Sequence, residues 1–274
     1  MTTITSAKNA KIKHILGLID RRSMRAKHRQ FFVEGVRAIT AVYDHGWQVE
    51  WLIYCPENVQ SDWAREIIDR TDHRARLEVN AYLQERISGR SDPSELMCVV
   101  AQAKDDLARI PLSENLLVVL ADRPQNPGNL GSLIRTCDAL NAHGLLIIGH
   151  AADLYTPRTV RASMGSFFAL PVIRLGRFET LQQWMDDVRR QLGRLQMVGT
   201  SAHAEAQIFA HDLTGPTLLV LGNEAQGMSH RLSEMCDVNL TIPMFGSASS
   251  LNMAAAAAIL LYEADRQRLT RGIL

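Results

Sequence analysis

Leu240-Thr-Ile-Pro-Met-Phe-Gly-Ser-Ala-Ser-Ser-Leu-Asn252 is followed by Met253 and five alanines, Ala254 to Ala258. An apolar run stops at Pro243, a loop of small and hydroxyl residues follows, and Ser250 and Asn252 stand where a helix has to begin. Ser and Asn side chains accept hydrogen bonds from the otherwise unpaired N–H groups of a first helical turn, so the segment reads strand, loop, helix. Two earlier stretches share this pattern. Asn126-Pro-Gly-Asn-Leu-Gly-Ser-Leu-Ile-Arg135 and Gly222-Asn-Glu-Ala-Gln-Gly227 each put asparagine, glycine and a charged residue just after an apolar strand. Three such turns within residues 126–252 point to one shared site.

The 274 residues, 46% hydrophobic and 22% charged, suffice for a sizeable core and for two domains. The formal net charge is +1, so no whole-molecule field marks a polyanionic partner. Charge is concentrated locally instead. Residues 1–37 hold nine lysines and arginines, among them Arg21, Arg22, Arg25 and Lys27, against Asp20 and Glu34. Cys55, Cys98, Cys137 and Cys236 are far apart without a Cys-x-x-Cys pair, which argues against zinc, and no metal is expected. The N-terminus shows no signal-peptide apolar core and no run reaches the length of a membrane span, so a reduced cytoplasmic protein is the expectation.

Hydrophobic periodicity gives alternating elements. Helices are expected over 9–20, 35–45 and 63–69, with a short one before the last strand, and strands over 31–33, 49–54, 77–80 and 97–102. This makes a small α/β domain over 1–103. Residues 104–113, rich in charge and holding Pro111, read as a linker to a second domain over 114–274. There, strands are expected over 116–121, 145–148, 172–175, 196–199, 218–221 and 238–242, and helices over 130–140, 157–164, 181–192, 229–235 and 251–269. Near-continuous apolar runs such as Leu116-Leu-Val-Val-Leu120 and Leu218-Leu-Val-Leu221 suit a parallel sheet covered on both faces.

Nucleotide motifs fail on inspection. Gly222-x4-Gly227-Met228-Ser229 matches a P-loop spacing, but Met228 replaces the phosphate-binding lysine and Glu224 would set a carboxylate among the anions. No Gly-x-Gly-x-x-Gly follows the first strand of either half.

Taken together, Asn126-x-x-Asn129-x-Gly131-x-x-x-Arg135, Gly222-Asn-Glu-x-x-Gly227 and Ile242-Pro-Met…Ser250-Leu-Asn252 resemble the three motifs of the SpoU (TrmH-like) branch of the SPOUT RNA methyltransferases, in the family's order. Arg161-Ala-Ser-Met-Gly165 adds familiar context between them. The likeness covers residue 116 to the C-terminus. Residues 1–102, through Ile4-Thr-Ser…Asn9 and Phe32-Val-Glu-Gly35, resemble the substrate-binding domain that often precedes it.

The resemblance implies an α/β fold: a parallel-sheet SPOUT catalytic domain with a C-terminal trefoil knot, preceded by a small L30e-like substrate-binding domain. It implies a homodimer through the catalytic domain, S-adenosylmethionine as cofactor, and methyl transfer to a ribose 2′-hydroxyl of ribosomal or transfer RNA. Arg135, Asn129, Glu224, Ser250 and Asn252 match the catalytic set, and Thr200, Gly222, Ile242 and Leu251 the cofactor contacts. Arg21, Arg22, Arg25 and Lys27 are the expected RNA-binding side chains. A guanidinium is a poor base, so Arg135 is expected to stabilise a developing alkoxide, oriented by Asn129 and Glu224.

Three positions depart from the family pattern: Ala225 where glycine is usual, Met253-Ala254 for Val-Ser, and Asn141 for glycine. Asn tolerates a left-handed backbone, whereas Ala225 would be strained if its position required positive φ. Two other classes compete, a knotted RNA-binding protein without turnover and a methyltransferase for small molecules or proteins. The intact Arg135, Ser250 and Asn252 oppose the first and the basic arm opposes the second.

Overall fold

A computed structural model describes residues 3–202 and 204–273. In chain order the first elements are α1 (Ala10–Asp20), α2 (Arg22–His28), β1 (Gln30–Glu34), α3 (Val36–Asp44), β2 (Val49–Tyr54), α4 (Asp62–Arg70), β3 (Arg76–Glu78), α5 (Ala81–Ser88) and β4 (Leu96–Ala101). There follow β5 (Leu117–Asp122), α6 (Pro127–Ala139), β6 (Gly144–Ile148), α7 (Pro157–Ala162), α8 (Ser166–Ala169), β7 (Val172–Leu175) and α9 (Phe178–Leu192). The chain ends with β8 (Gln196–Thr200), β9 (Ala206–Gln207), β10 (Thr217–Leu221), α10 (His230–Met235), β11 (Val238–Thr241) and α11 (Met253–Thr270). These elements form two compact units, Met1–Ala103 with Asp153–Ala169, and Lys104–Ala152 with Leu170–Leu274.

The first unit is built on a mixed four-stranded sheet of order β1-β4-β2-β3, antiparallel except between β2 and β3. On one face Ile12, Ile15 and Leu18 of α1 and Leu83 and Ile87 of α5 pack against Phe32, Ile53, Met97 and Val99. Residues 153–169 join this unit through an aromatic cluster in which Phe31 meets Trp47, Tyr155, Phe167 and Phe168. The Trp47 indole N–H also donates to the Phe168 carbonyl at 2.9 Å. The helix expected over 157–164 is α7, and a further short helix, α8, follows it. Met164 at φ 55 and Gly165 at φ 105 turn the chain between them.

Arg25 is a correction to the sequence reading. Its guanidinium is buried, pairs with Asp153 at 2.8 Å and donates to the carbonyls of Leu18 and Ile19. A side chain so engaged holds the fold together and offers no charge to an RNA. Arg21, Arg22 and Lys27 remain exposed.

The second unit carries a seven-stranded parallel sheet of order β7-β6-β5-β10-β8-β11-β9. The residues of β5, β6 and β10 are all buried, as a sheet covered on both faces requires. On one face Leu181, Trp184, Met185 and Val188 of α9 and Leu232 of α10 cover Leu116, Val118, Leu120, Leu218 and Val220. On the other, α11 packs on α6 and β10. Residues 104–113, expected as a linker, belong to this unit: Asp105 pairs with Arg174 at 2.7 Å, and Ile110 is buried in the core.

Candidate functional site

The carboxyl ends of neighbouring parallel strands are where open α/β sheets place ligands. Here the loops after β8, β10 and β11 close one cavity of about 520 Å³, within the range that holds a small-molecule cofactor. Thr200, Ser201 and Ala202 come from the first loop and Leu221 to Met228 from the second. Leu240, Ile242 and Met244 come from the third, which continues through Ser249, Ser250 and Leu251 into α11. Among the expected site residues, Thr200, Gly222, Glu224, Ile242, Ser250 and Leu251 all line this cavity.

Local chemistry sets each loop. The Thr200 hydroxyl donates to the Val220 carbonyl at 3.0 Å, tying the end of β8 to β10. At Gly222 a Cβ would lie 2.3 Å from the Met228 backbone nitrogen and 2.5 Å from the Gly227 carbonyl carbon. Only glycine lets the loop fold back on its own start. Asn223 and Gly227 exchange backbone hydrogen bonds of 3.0 and 2.8 Å, and the Asn223 Oδ1 accepts from the N–H groups of Ala225 and Gln226. Gly227 takes the positive φ of 68, and Ala225 is not among the non-glycine residues with positive φ, so alanine there is unstrained. Asn141 does adopt φ 51, where Asn is tolerated.

The helix starts carry the remaining asparagines. Asn126 caps α6 by accepting from the N–H groups of Gly128 and Asn129, with Pro127 in the first turn, so this helix begins three residues before the expected 130. Asn252 caps α11, accepting from the Ala254 N–H at 2.9 Å.

Asn129 and Glu224 meet: the Asn129 amide donates to the Glu224 carboxylate at 3.1 Å. Arg135 does not join them. It is exposed on α6, lies outside the cavity lining and makes no hydrogen bond or ion pair among the described residues. Six residues separate it from Asn129, about 600° of helical rotation, so the two project from different sides of α6. The expected orientation of Arg135 by Asn129 and Glu224 is thus not made within the single chain.

Sequence reading missed the residues beneath the 222–229 loop. Asp122 at the end of β5 is 1% exposed, and Arg123 after it has φ 52. Nothing in their local sequence reveals that they reach a loop a hundred residues later.

No helix among the described residues is long and apolar enough to cross a membrane. The profile of the SpoU rRNA Methylase family matches residues 116–262, and that of the MRM3-like substrate binding domain matches residues 9–98. The chain is 42% identical to the 23S rRNA (uridine(2479)-2′-O)-methyltransferase of Streptomyces viridochromogenes, over 97% of this chain and 92% of that protein. It is 30% identical to the 23S rRNA (guanosine(2553)-2′-O)-methyltransferase RlmP of Bacillus subtilis (strain 168), over 96% and 98% of the two chains. The crystal structure of the SpoU methyltransferase AviRb from Streptomyces viridochromogenes in complex with the cofactor AdoMet superposes with a TM-score of 0.88, at 43% identity, covering 96% of this chain and 100% of that one. Sequence, fold and three-loop cavity agree, and the chain belongs to the SpoU rRNA methylase family.

Proposed function

We propose that this chain methylates a ribose 2′-hydroxyl of ribosomal RNA with S-adenosylmethionine as donor. The observation that carries the reading is the cavity itself, in which residues of the second and third motifs converge at the ends of β8, β10 and β11. The cavity fits the cofactor in size, and at Gly222 the backbone is left bare of any side chain. Gly222, Ile242 and Leu251 would hold the adenosyl part through their backbones, with Thr200 on the wall. S-adenosylmethionine supplies an activated methyl and its own leaving group.

What the protein must add is an in-line approach of the 2′-oxygen and stabilisation of its developing negative charge. We assign the second task to Arg135, whose guanidinium acts as a charge, while the hydroxyl proton leaves to water or an RNA phosphate. Ser250 and the Asn129–Glu224 pair would position the ribose, and Asn252 fixes the start of α11 beside it. Retention of Arg135, Ser250 and Asn252 supports turnover over a non-catalytic RNA-binding role.

The same reading includes a trefoil knot, a homodimer and a cytoplasmic setting. The path of the chain supports the first: the 222–229 and 242–252 segments line one cavity before α11 returns to pack on α6. An exposed apolar stripe on α11 supports the second. The basic arm, through Arg21, Arg22 and Lys27, would grip the RNA backbone. Incubation of the purified protein with methyl-labelled cofactor and ribosomal RNA, followed by mapping of 2′-O-methyl marks, tests the assignment. Label at one ribose is the expected result; labelling of a base or of no RNA would overturn it.

A further inference from the structure

We propose that Asp122 and Arg123 form a latch that sets the shape of the 222–229 loop and thereby the affinity of the site for S-adenosylmethionine. The proposal rests on the cofactor reading of the cavity. Neither residue lines it. The Asp122 carboxylate, buried at the end of β5, receives the Arg123 Nε and Nη2 at 3.0 Å each, and its Oδ2 also accepts the Ser229 backbone N–H at 2.7 Å. The same guanidinium reaches onward, donating to Gln226 Oε1 at 2.6 Å and to the Gly227 carbonyl at 3.1 Å.

The Arg123 backbone completes the hold. Its carbonyl accepts from the Asn223 side-chain amide at 2.9 Å, and its N–H donates to the Ile148 carbonyl at 2.9 Å. This geometry uses φ 52, an uncommon conformation for a residue with a side chain. Gly149, at φ 77, leaves the room: a Cβ there would fall 2.6 Å from the Arg123 Cγ.

One strand end therefore ties the loop at Asn223, Gln226, Gly227 and Ser229, and the stretch between these ties presents Glu224 and Ala225 to the cavity. Among the described residues, the loop's internal bonds run between Asn223 and residues 225–227. They shape the turn without fixing where it sits on the sheet. Arg123 and Asp122 supply that placement beside the Asn129–Glu224 bond, as positioning residues that touch no reacting group.

The test measures cofactor binding by calorimetry and methyl transfer to ribosomal RNA by steady-state kinetics. Arg123→Gln would strand a buried carboxylate, so the matched double variant Asp122→Asn/Arg123→Gln is compared with it, and Gln226→Ala removes the outer tie together with the side chain of a cavity-lining residue. In the double variant the Kd and KM for S-adenosylmethionine should rise about tenfold or more, the scale of one lost charge-assisted hydrogen bond. The rate at saturating cofactor and RNA should stay within about threefold, the pattern of lost uniform binding. Gln226→Ala should give a smaller rise in the same direction. A double variant with lower thermal stability but unchanged Kd and KM would overturn the latch and leave a structural role. A parental protein that binds no S-adenosylmethionine would overturn the cofactor reading and the latch with it, whereas equal binding by parent and variants would sink the latch alone.

Discussion

Arg135 is exposed on α6 and makes no hydrogen bond or ion pair among the described residues, so its guanidinium is available to whatever approaches that face. If its charge acts on the developing alkoxide, Arg135→Ala should leave cofactor affinity intact and lower the single-turnover rate at saturating RNA by about 10² or more. Arg135→Lys should recover little, since an ammonium lacks the planar fork. Methylation by Arg135→Ala at the parental rate would remove Arg135 from the chemistry. Gly222 makes the complementary prediction for binding. A Cβ 2.3 Å from the Met228 nitrogen forces the loop open, so Gly222→Ala should abolish cofactor binding measured by calorimetry while circular dichroism stays parental. Both positions stand out in the sequence because each sits in a motif; the structure sets Gly222 in the cavity lining and Arg135 outside it. Arg123 does not stand out, because its partners lie 103 and 104 positions away.

Helix α2 shows why element-level reading failed where it did. Residues 22–28 read as part of a basic arm for RNA, yet they fold as a helix whose Arg25 pairs with an aspartate 128 positions later. Periodicity reports which face is apolar and is silent about a buried charge whose partner is distant. The strands fared better, because fully apolar runs such as β5 and β10 have no other place to go than the middle of a covered sheet. The corrected arm gives a sharper experiment. Replacing Arg21, Arg22 and Lys27 together should weaken RNA binding and flatten its salt dependence, with stability retained; an unchanged salt slope would show a merely solvated face. At the other end of the chain, Arg268 of α11 is 0% exposed and donates to the carbonyls of Leu213, Asn115, Leu116 and Gly215. Burial lowers its pKa, with the charge of Asp265 opposing the shift. Arg268→Met would leave several buried carbonyls unpaired, and thermal unfolding should show a loss of about 3 kcal/mol or more.

For the whole molecule, pH dependence and self-association follow from groups that no motif contains. Burial, then the charge of Arg268, holds the His143 imidazole below its ordinary pKa of 6.5. A depressed folded-state pKa means that the unfolded chain binds the proton more tightly. Stability is therefore full above about pH 6.5 and declines as pH falls below it, and His143→Asn should flatten that slope in denaturant titrations. The proposed dimer face lies on α11, which is apolar on two sides. One packs on α6 and β10, while Ala255, Ile259, Tyr262 and Leu269 form an exposed stripe at helical spacing, with Ile259 40% and Tyr262 63% accessible. A second copy of the same helix would cover such a stripe symmetrically, since a twofold interface presents one patch to itself. Sedimentation of the parental protein should give a dimer. Ile259→Glu/Tyr262→Glu should give a folded monomer, because both side chains point away from the core and the new charges would face each other across the axis. Sedimentation of this double variant as a parental-sized dimer would place the interface elsewhere on the molecule.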